Sequence, residues 1–219
     1  MPGLVELAYT TAGGAVGAVV TNYFTKYQDR RQLRGAVMEA LYALAAVPSG
    51  VRELAPGAAP IPPVAGRPRS IAGELGLVVT LDEGSPADSA FRKALATYMV
   101  AALAAGIPRV AMDFAAGAYE RELECEALRL IDAEAGNPLG AAPAELLATC
   151  VSYRKSATGL LLKLLWHPRW TRPRMRSGIR RLRAGVEPLN GQQEAVHRRL
   201  LESGSVAALA ERIKEKPET

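Results

Sequence analysis

The chain lacks most of what marks an enzyme site. It has two histidines and two cysteines in 219 residues, and aromatics make up 5%. It contains no GxSxG, no phosphate-binding glycine loop, no HExxH and no dinucleotide fingerprint. The glycines near 13 to 17 follow no strand and precede no P-loop lysine, so they do not form a nucleotide loop. Cys125 and Cys150 show neither CxxC nor Cys/His metal spacing and are too few for a disulfide framework. They read as small buried hydrophobes in a reducing compartment. No cofactor, metal site or catalytic residue is expected, and the chain reads as a non-enzyme.

Strand-forming residues are also thin. Alanine, leucine and arginine dominate, and 49% of the chain is hydrophobic, enough for a real core. The expected fold is mainly α: an N-terminal transmembrane helix, a Pro-rich linker, then a small antiparallel bundle of about four to six helices. The expected boundaries are 1–47 for an anchor helix with a cytoplasmic amphipathic extension, 48–69 for the linker, and 70–219 for a helical domain.

Residues 7–25 carry no charge, and counting from Leu4 the run spans 22 residues, about 33 Å as a helix. Lys26, Arg30, Arg31 and Arg34 follow it, and no Lys or Arg precedes it. The positive-inside rule then puts the N-terminus outside and the body in the cytoplasm of a membrane-anchored protein; a cleaved signal peptide would need a basic start. Leu4, Val5, Leu7, Val16, Val19, Val20 and Phe24 drive insertion by roughly −2 to −4 kcal/mol, a marginal value. A soluble cytoplasmic protein with 4–25 packed inside is the alternative. Gly13 and Gly17 have the small-xxx-small spacing that lets two membrane helices approach, so a homo-oligomer is expected in the membrane reading.

Past the anchor, Leu33, Val37, Leu41 and Leu44 form one apolar stripe. Six prolines in 48–69 argue against any regular element there. Residues 74–82 (ELGLVVTLD) fit a short strand or a helix. Ser85-Pro86 predicts a helix start with Ser85 as N-cap, running to a stop at Gly106. Further helices are expected over about 109–135, 143–166 and 191–214, the last broken near Ser203-Gly204. Over its first 50 residues the layout resembles that of small membrane-anchored proteins of GC-rich bacteria, which implies no activity; the arginine excess of 21 to 6 over lysine fits such a genome.

Charge of one sign is missing from a long stretch. Between Glu145 and Glu187 lie 41 residues with no acid and ten Lys or Arg. Residues 151–219 carry 15 basic and 6 acidic side chains, a net of +9, against −4 for residues 1–150. Trp166, Arg169, Trp170, Arg172, Arg174, Arg176, Arg180, Arg181 and Arg183 form the candidate contact site. Beside the apolar GLLLKLLW, they suit the interface of an anionic membrane lipid. The competing functional reading is nucleic acid, with arginines on phosphates and tryptophans on bases, although Pro168 and Pro173 argue against one long helix there. A third reading has them cover the chain's own acidic segment, 110–145, which holds eight acids and two arginines.

Glu120, Glu122, Glu124 and Glu126 read as a solvated acidic face rather than a metal site, and His197 as a surface residue. His167 lies among the arginines, whose charge disfavours its protonation. The function expected is that of a helical interaction or scaffold protein at the cytoplasmic face. The alternative is a soluble helical protein binding nucleic acid or another anionic partner through the Arg/Trp segment. A third class is an effector or enzyme whose site is unreadable.

Overall fold

A computed structural model of the chain describes residues 28–57, 60, 70–82, 84–166 and 172–215, the side chains of 172–174 and 214 excepted. Seven helices and two short strands follow one another. Helix α1 covers 28–49, and β1 is Val51–Pro56. Then come α2 (Ile71–Glu74), β2 (Leu77–Leu81), α3 (Ala87–Ala104), α4 (Arg109–Glu134), α5 (Ala142–Trp166), α6 (Arg172–Glu202) and α7 (Ser205–Glu215).

The mainly helical expectation holds, and the small sheet is an addition to it. β1 and β2 pair antiparallel from Val51 opposite Leu81 to Pro56 opposite Leu77, with an irregularity between Val51 and Glu53. β1 falls inside the proline-rich stretch expected to hold no regular element. Only Pro56 of those six prolines lies in the strand, at its final residue, where a missing donor costs a two-stranded ladder least. The strand reading of 74–82 therefore prevails for 77–81, whose LVVTL run is β-branched and apolar.

α1 is not an extension standing clear of the bundle. Val37, Leu41, Leu44 and Val47 join one core with Phe91, Tyr98, Met112, Tyr119, Leu161 and Leu165. Its apolar stripe was legible; its partner was not. A second core gathers Ile71, Leu77, Cys125, Leu128, Ile131, Leu146, Cys150, Leu189, Val196, Leu200 and Leu209. Helix α4 contributes to both, and it contacts α2, α3, α5, α6, α7 and β1.

Two boundaries shift for local reasons. Pro86, not Ser85, occupies the N-cap of α3, and no side chain caps that end. The Ser85 carbonyl instead accepts from the Leu81 amide at 2.9 Å, tying the turn to β2. Second, α6 runs unbroken from Arg172 through Arg183. Pro173 sits in its first turn, where its missing N–H is an orphan anyway. Pro188 lies mid-helix on an exposed position, so the carbonyl it leaves free can face water. The expected break at Ser203-Gly204 is present, with Gly204 at φ +71°.

Among the described residues no helix is long and apolar enough to cross a membrane. Residues 4–25, where the span is expected, lie outside those residues, as do Gly13 and Gly17.

Because Leu44 is 0% exposed and Tyr42 is 70% exposed on the same helix, the two separate core from surface. Leu44→Ala should cost about 2–5 kcal/mol in urea unfolding, and Tyr42→Ala less than about 0.5 kcal/mol. A Leu44→Ala loss below about 1 kcal/mol would place α1 outside the cooperative core.

A candidate anionic-ligand cleft

Four chain segments meet at one end of the bundle. The start of α1 brings Arg30, Leu33 and Arg34, with the arginines one turn apart and so on one face. The α3–α4 turn brings Ala105 to Pro108, the end of α5 brings Leu164 and Leu165, and the start of α6 brings Met175 and Arg176. Together they line a cavity of about 360 Å³, within the range of small-ligand sites.

Local sequence explains the turn. Gly106 takes φ +71°, a left-handed conformation that glycine adopts without steric cost. Its amide donates to the Leu103 carbonyl at 2.9 Å, and the Ile107 amide to the Ala102 carbonyl at 3.0 Å, a Schellman stop that tucks Ile107 into the core. Pro108 then sits at the N-cap of the 26-residue α4 with no side chain capping it, so positive helix-end potential faces this region. On the far wall α6 approaches α5 closely. A Cβ at Gly178 would lie 2.8 Å from Leu160 Cδ1, so only glycine fits without moving that leucine.

Arg34 is the best-held cation of the cleft. Its Nε donates to the Leu165 carbonyl at 3.1 Å, satisfying one of the last carbonyls of α5, and its guanidinium lies 4.8 Å from the Trp166 ring centroid. Trp166 remains 56% exposed. No ion pair among the described residues uses Arg30 or Arg34, or the candidate arginines Arg176, Arg180, Arg181 and Arg183. Among the described residues, the cleft lining contains three guanidiniums and no carboxylate.

Of the residues singled out from sequence, the structure thus brings Trp166 and Arg176 to one site. Arg180, Arg181 and Arg183 are exposed further along α6. Arg172 and Arg174 lie in the first turn of α6 with side chains not described, and Arg169, Trp170 and His167 lie outside the described residues. Spacings of four, four and three put Arg172, Arg176, Arg180 and Arg183 along one helix face. Arg30 and Arg34 went unassigned to a site, although their place just after an uncharged run was the available signal.

The chain matches no protein-family model, no curated protein and no solved structure.

Two other polar groups depart from expectation. The glutamates of 120–126 do not form a solvated face, because α4 runs through the middle of the bundle. Glu122 is buried and pairs with Arg154 of α5, whose guanidinium stacks 5.2 Å from the Tyr119 ring. Burial still pushes the Glu122 carboxyl up, with Arg154 opposing. Glu124 is pushed up to about 8, first by burial and then by Asp88, against the pull of a Ser70 hydrogen bond. His197 is 1% exposed rather than on the surface, with Nε2 3.4 Å from Glu74 Oε2. It shares the buried side of α6 with Leu182, Leu189, Val196 and Leu200, a face that is visible only once the helix starts at 172. Among the described residues no group of three His, Cys, Asp or Glu could hold a metal ion.

Glu124 sets a pH dependence. Its folded value of about 8 lies above the ordinary 4.5, so folding favours its protonated form. The contribution is fully present below 4.5 and is lost as pH rises through 8. Glu124→Gln should therefore flatten the fall in unfolding free energy between pH 5 and 8.5 that the unaltered chain shows. Identical pH profiles for the two would show that Glu124 is not held protonated by folding.

Proposed function

We propose that this chain is a membrane-anchored helical scaffold protein whose arginine-lined end lies against the anionic cytoplasmic face of the bilayer. The observation that carries the reading is the convergence of Arg30, Arg34 and Arg176 on one apolar-walled cleft beside an exposed tryptophan. A lipid headgroup presents an anionic phosphate above an apolar body. The cleft offers guanidiniums beside Leu33, Ile107, Leu164 and Leu165. Trp166 suits the headgroup level, where an indole has an apolar body and a polar N–H to satisfy.

Three further features support it. Leu103 and Val110, flanking the α3–α4 turn on either side, are 60% and 45% exposed and add apolar surface near the cleft. The uncharged run at 7–25 ends just before α1, which carries Arg30 and Arg34, so a tether and this cleft would adjoin. Glu122 pairs with Arg154 and Glu126 with Arg129 rather than with an α6 arginine, which weakens the internal-cover reading. Nucleic-acid binding would use the same arginines, but it would require flat stacking surfaces rather than a cleft walled by leucines. Self-association through Gly13 and Gly17 belongs to the same proposal.

The tether is tested by fractionation: full chain that remains in the supernatant after ultracentrifugation without detergent would end the anchored reading. The cleft is tested with full chain and vesicles of neutral or one-third anionic phospholipid at low and high salt. Binding should favour anionic vesicles and weaken with salt. Arg30→Gln, Arg34→Gln and Arg176→Gln combined should reduce that preference by roughly 100- to 200-fold, at about 1 kcal/mol per arginine. Equal binding to both vesicle types, or retardation by single-stranded nucleic acid with no anionic preference, would transfer the site to another ligand.

A further inference from the structure

Away from the cleft, the two cysteines meet. Cys125 on α4 and Cys150 on α5 are both fully buried, and their sulfurs lie 3.1 Å apart. Their surroundings are apolar, with Leu128, Leu146 and Leu189 in the same core cluster. Neither is held in a disulfide. We propose that Cys125 and Cys150 form a redox-active dithiol, a modification site at which a peroxide-class oxidant closes a reversible disulfide across α4 and α5.

Geometry supports the bond. A disulfide needs sulfurs at about 2.05 Å, so roughly 1 Å of approach remains, within the reach of side-chain rotation and a slight helix shift. The two helices pack along each other and are joined by the short turn through Gly136 to Gly140, so their register is already set.

The pair is also chemically asymmetric. Either sulfur can donate in the contact between them; that contact and the nearby Arg121 guanidinium draw the Cys150 thiol down, whereas the same contact and burial push Cys125 up. Cys150 is thus the sulfur with thiolate character and the one to react first. Its thiolate attacks one peroxide oxygen, breaking the O–O bond, so that with one proton it becomes a sulfenic acid and releases water. The Cys125 thiol then attacks the Cys150 sulfur, the S–S bond forms, and the sulfenic oxygen leaves as a second water with the Cys125 proton. In sum, two thiols and one hydrogen peroxide give one disulfide and two waters, with two electrons passing from sulfur to peroxide. A small dithiol reverses the bond by exchange. Hydrogen peroxide is close to water in size, so the step requires only a small local opening of the α4–α5 contact.

The test needs no membrane and stands apart from the lipid reading. Reduced full chain is treated with hydrogen peroxide under native conditions, quenched and analysed by intact mass and peptide mapping. The expected product is about 2 Da lighter, maps to a Cys125–Cys150 cross-linked peptide, and leaves both thiols blind to maleimide after denaturation. Its thermal midpoint should rise by roughly 5–10 °C and return on dithiothreitol treatment. Cys125→Ser and Cys150→Ser should each abolish the 2 Da loss. If either variant fails to fold, mass and peptide map of the unaltered chain decide alone. Gains of about 16 Da per oxygen without the cross-link, disulfide dimers between chains, or thiols untouched at peroxide doses that oxidise the denatured chain would each overturn the proposal.

Discussion

The ion pair between Glu122 and Arg154 is the contact around which the bundle is arranged, because α4 packs against most of the other elements with Glu122 on its buried side. A carboxylate removed from water is costly unless matched, and the match must come from the helix packed alongside. Arg154 supplies it from α5, with Tyr119 beneath its guanidinium. A pair of this kind contributes specificity more than net stability: sliding α5 by one turn would strand two charges at once. The same register aligns Cys125 with Cys150 and fixes where α5 ends, and so where Leu164, Leu165 and Trp166 stand.

A second solution to buried charge lies two residues along α4. Glu124 has no arginine against it and meets the problem by keeping its proton, with Ser70 as a hydrogen-bond partner. His197 and Glu74 pair under α6. The acidic charge of the first 150 residues is thus partly drawn inward, whereas Arg176, Arg180, Arg181 and Arg183 of α6 stay on the outside. Three guanidiniums around one cleft repel one another, and a bound anion would relieve that repulsion more effectively than water. The cleft and the central ion pair are contrasting arrangements of charge: Glu122 is matched from within the chain, and the cleft arginines make no ion pair among the described residues.

Much of the helical layout was legible from residue pattern. Gly106 and Gly136 stop α3 and α4 where expected, since a left-handed turn needs glycine at those positions. The Trp166 and Arg176 elements of the cleft were legible as well, from an acid-free run beside an apolar helix. Arg30 and Arg34 were visible as a basic cluster but not as cleft walls, because they lie far from Arg176 in sequence and meet it only through packing. The β1 strand was obscured by prolines. Pairing with β2 supplied what its own propensity did not.

Local chemistry therefore determined the helix ends, the apolar stripes and the segregation of charge, since each depends on residues within a few positions of one another. Tertiary structure alone decided which stripe faces which. It turned α4 inward, so that Glu122 became buried, its neighbouring glutamates half-buried, and His197 buried. It also brought a first-helix arginine onto the last carbonyls of α5, and two thiols within 3.1 Å. The physical reason is that a helix has several faces, and only packing against its neighbours selects the face that loses water.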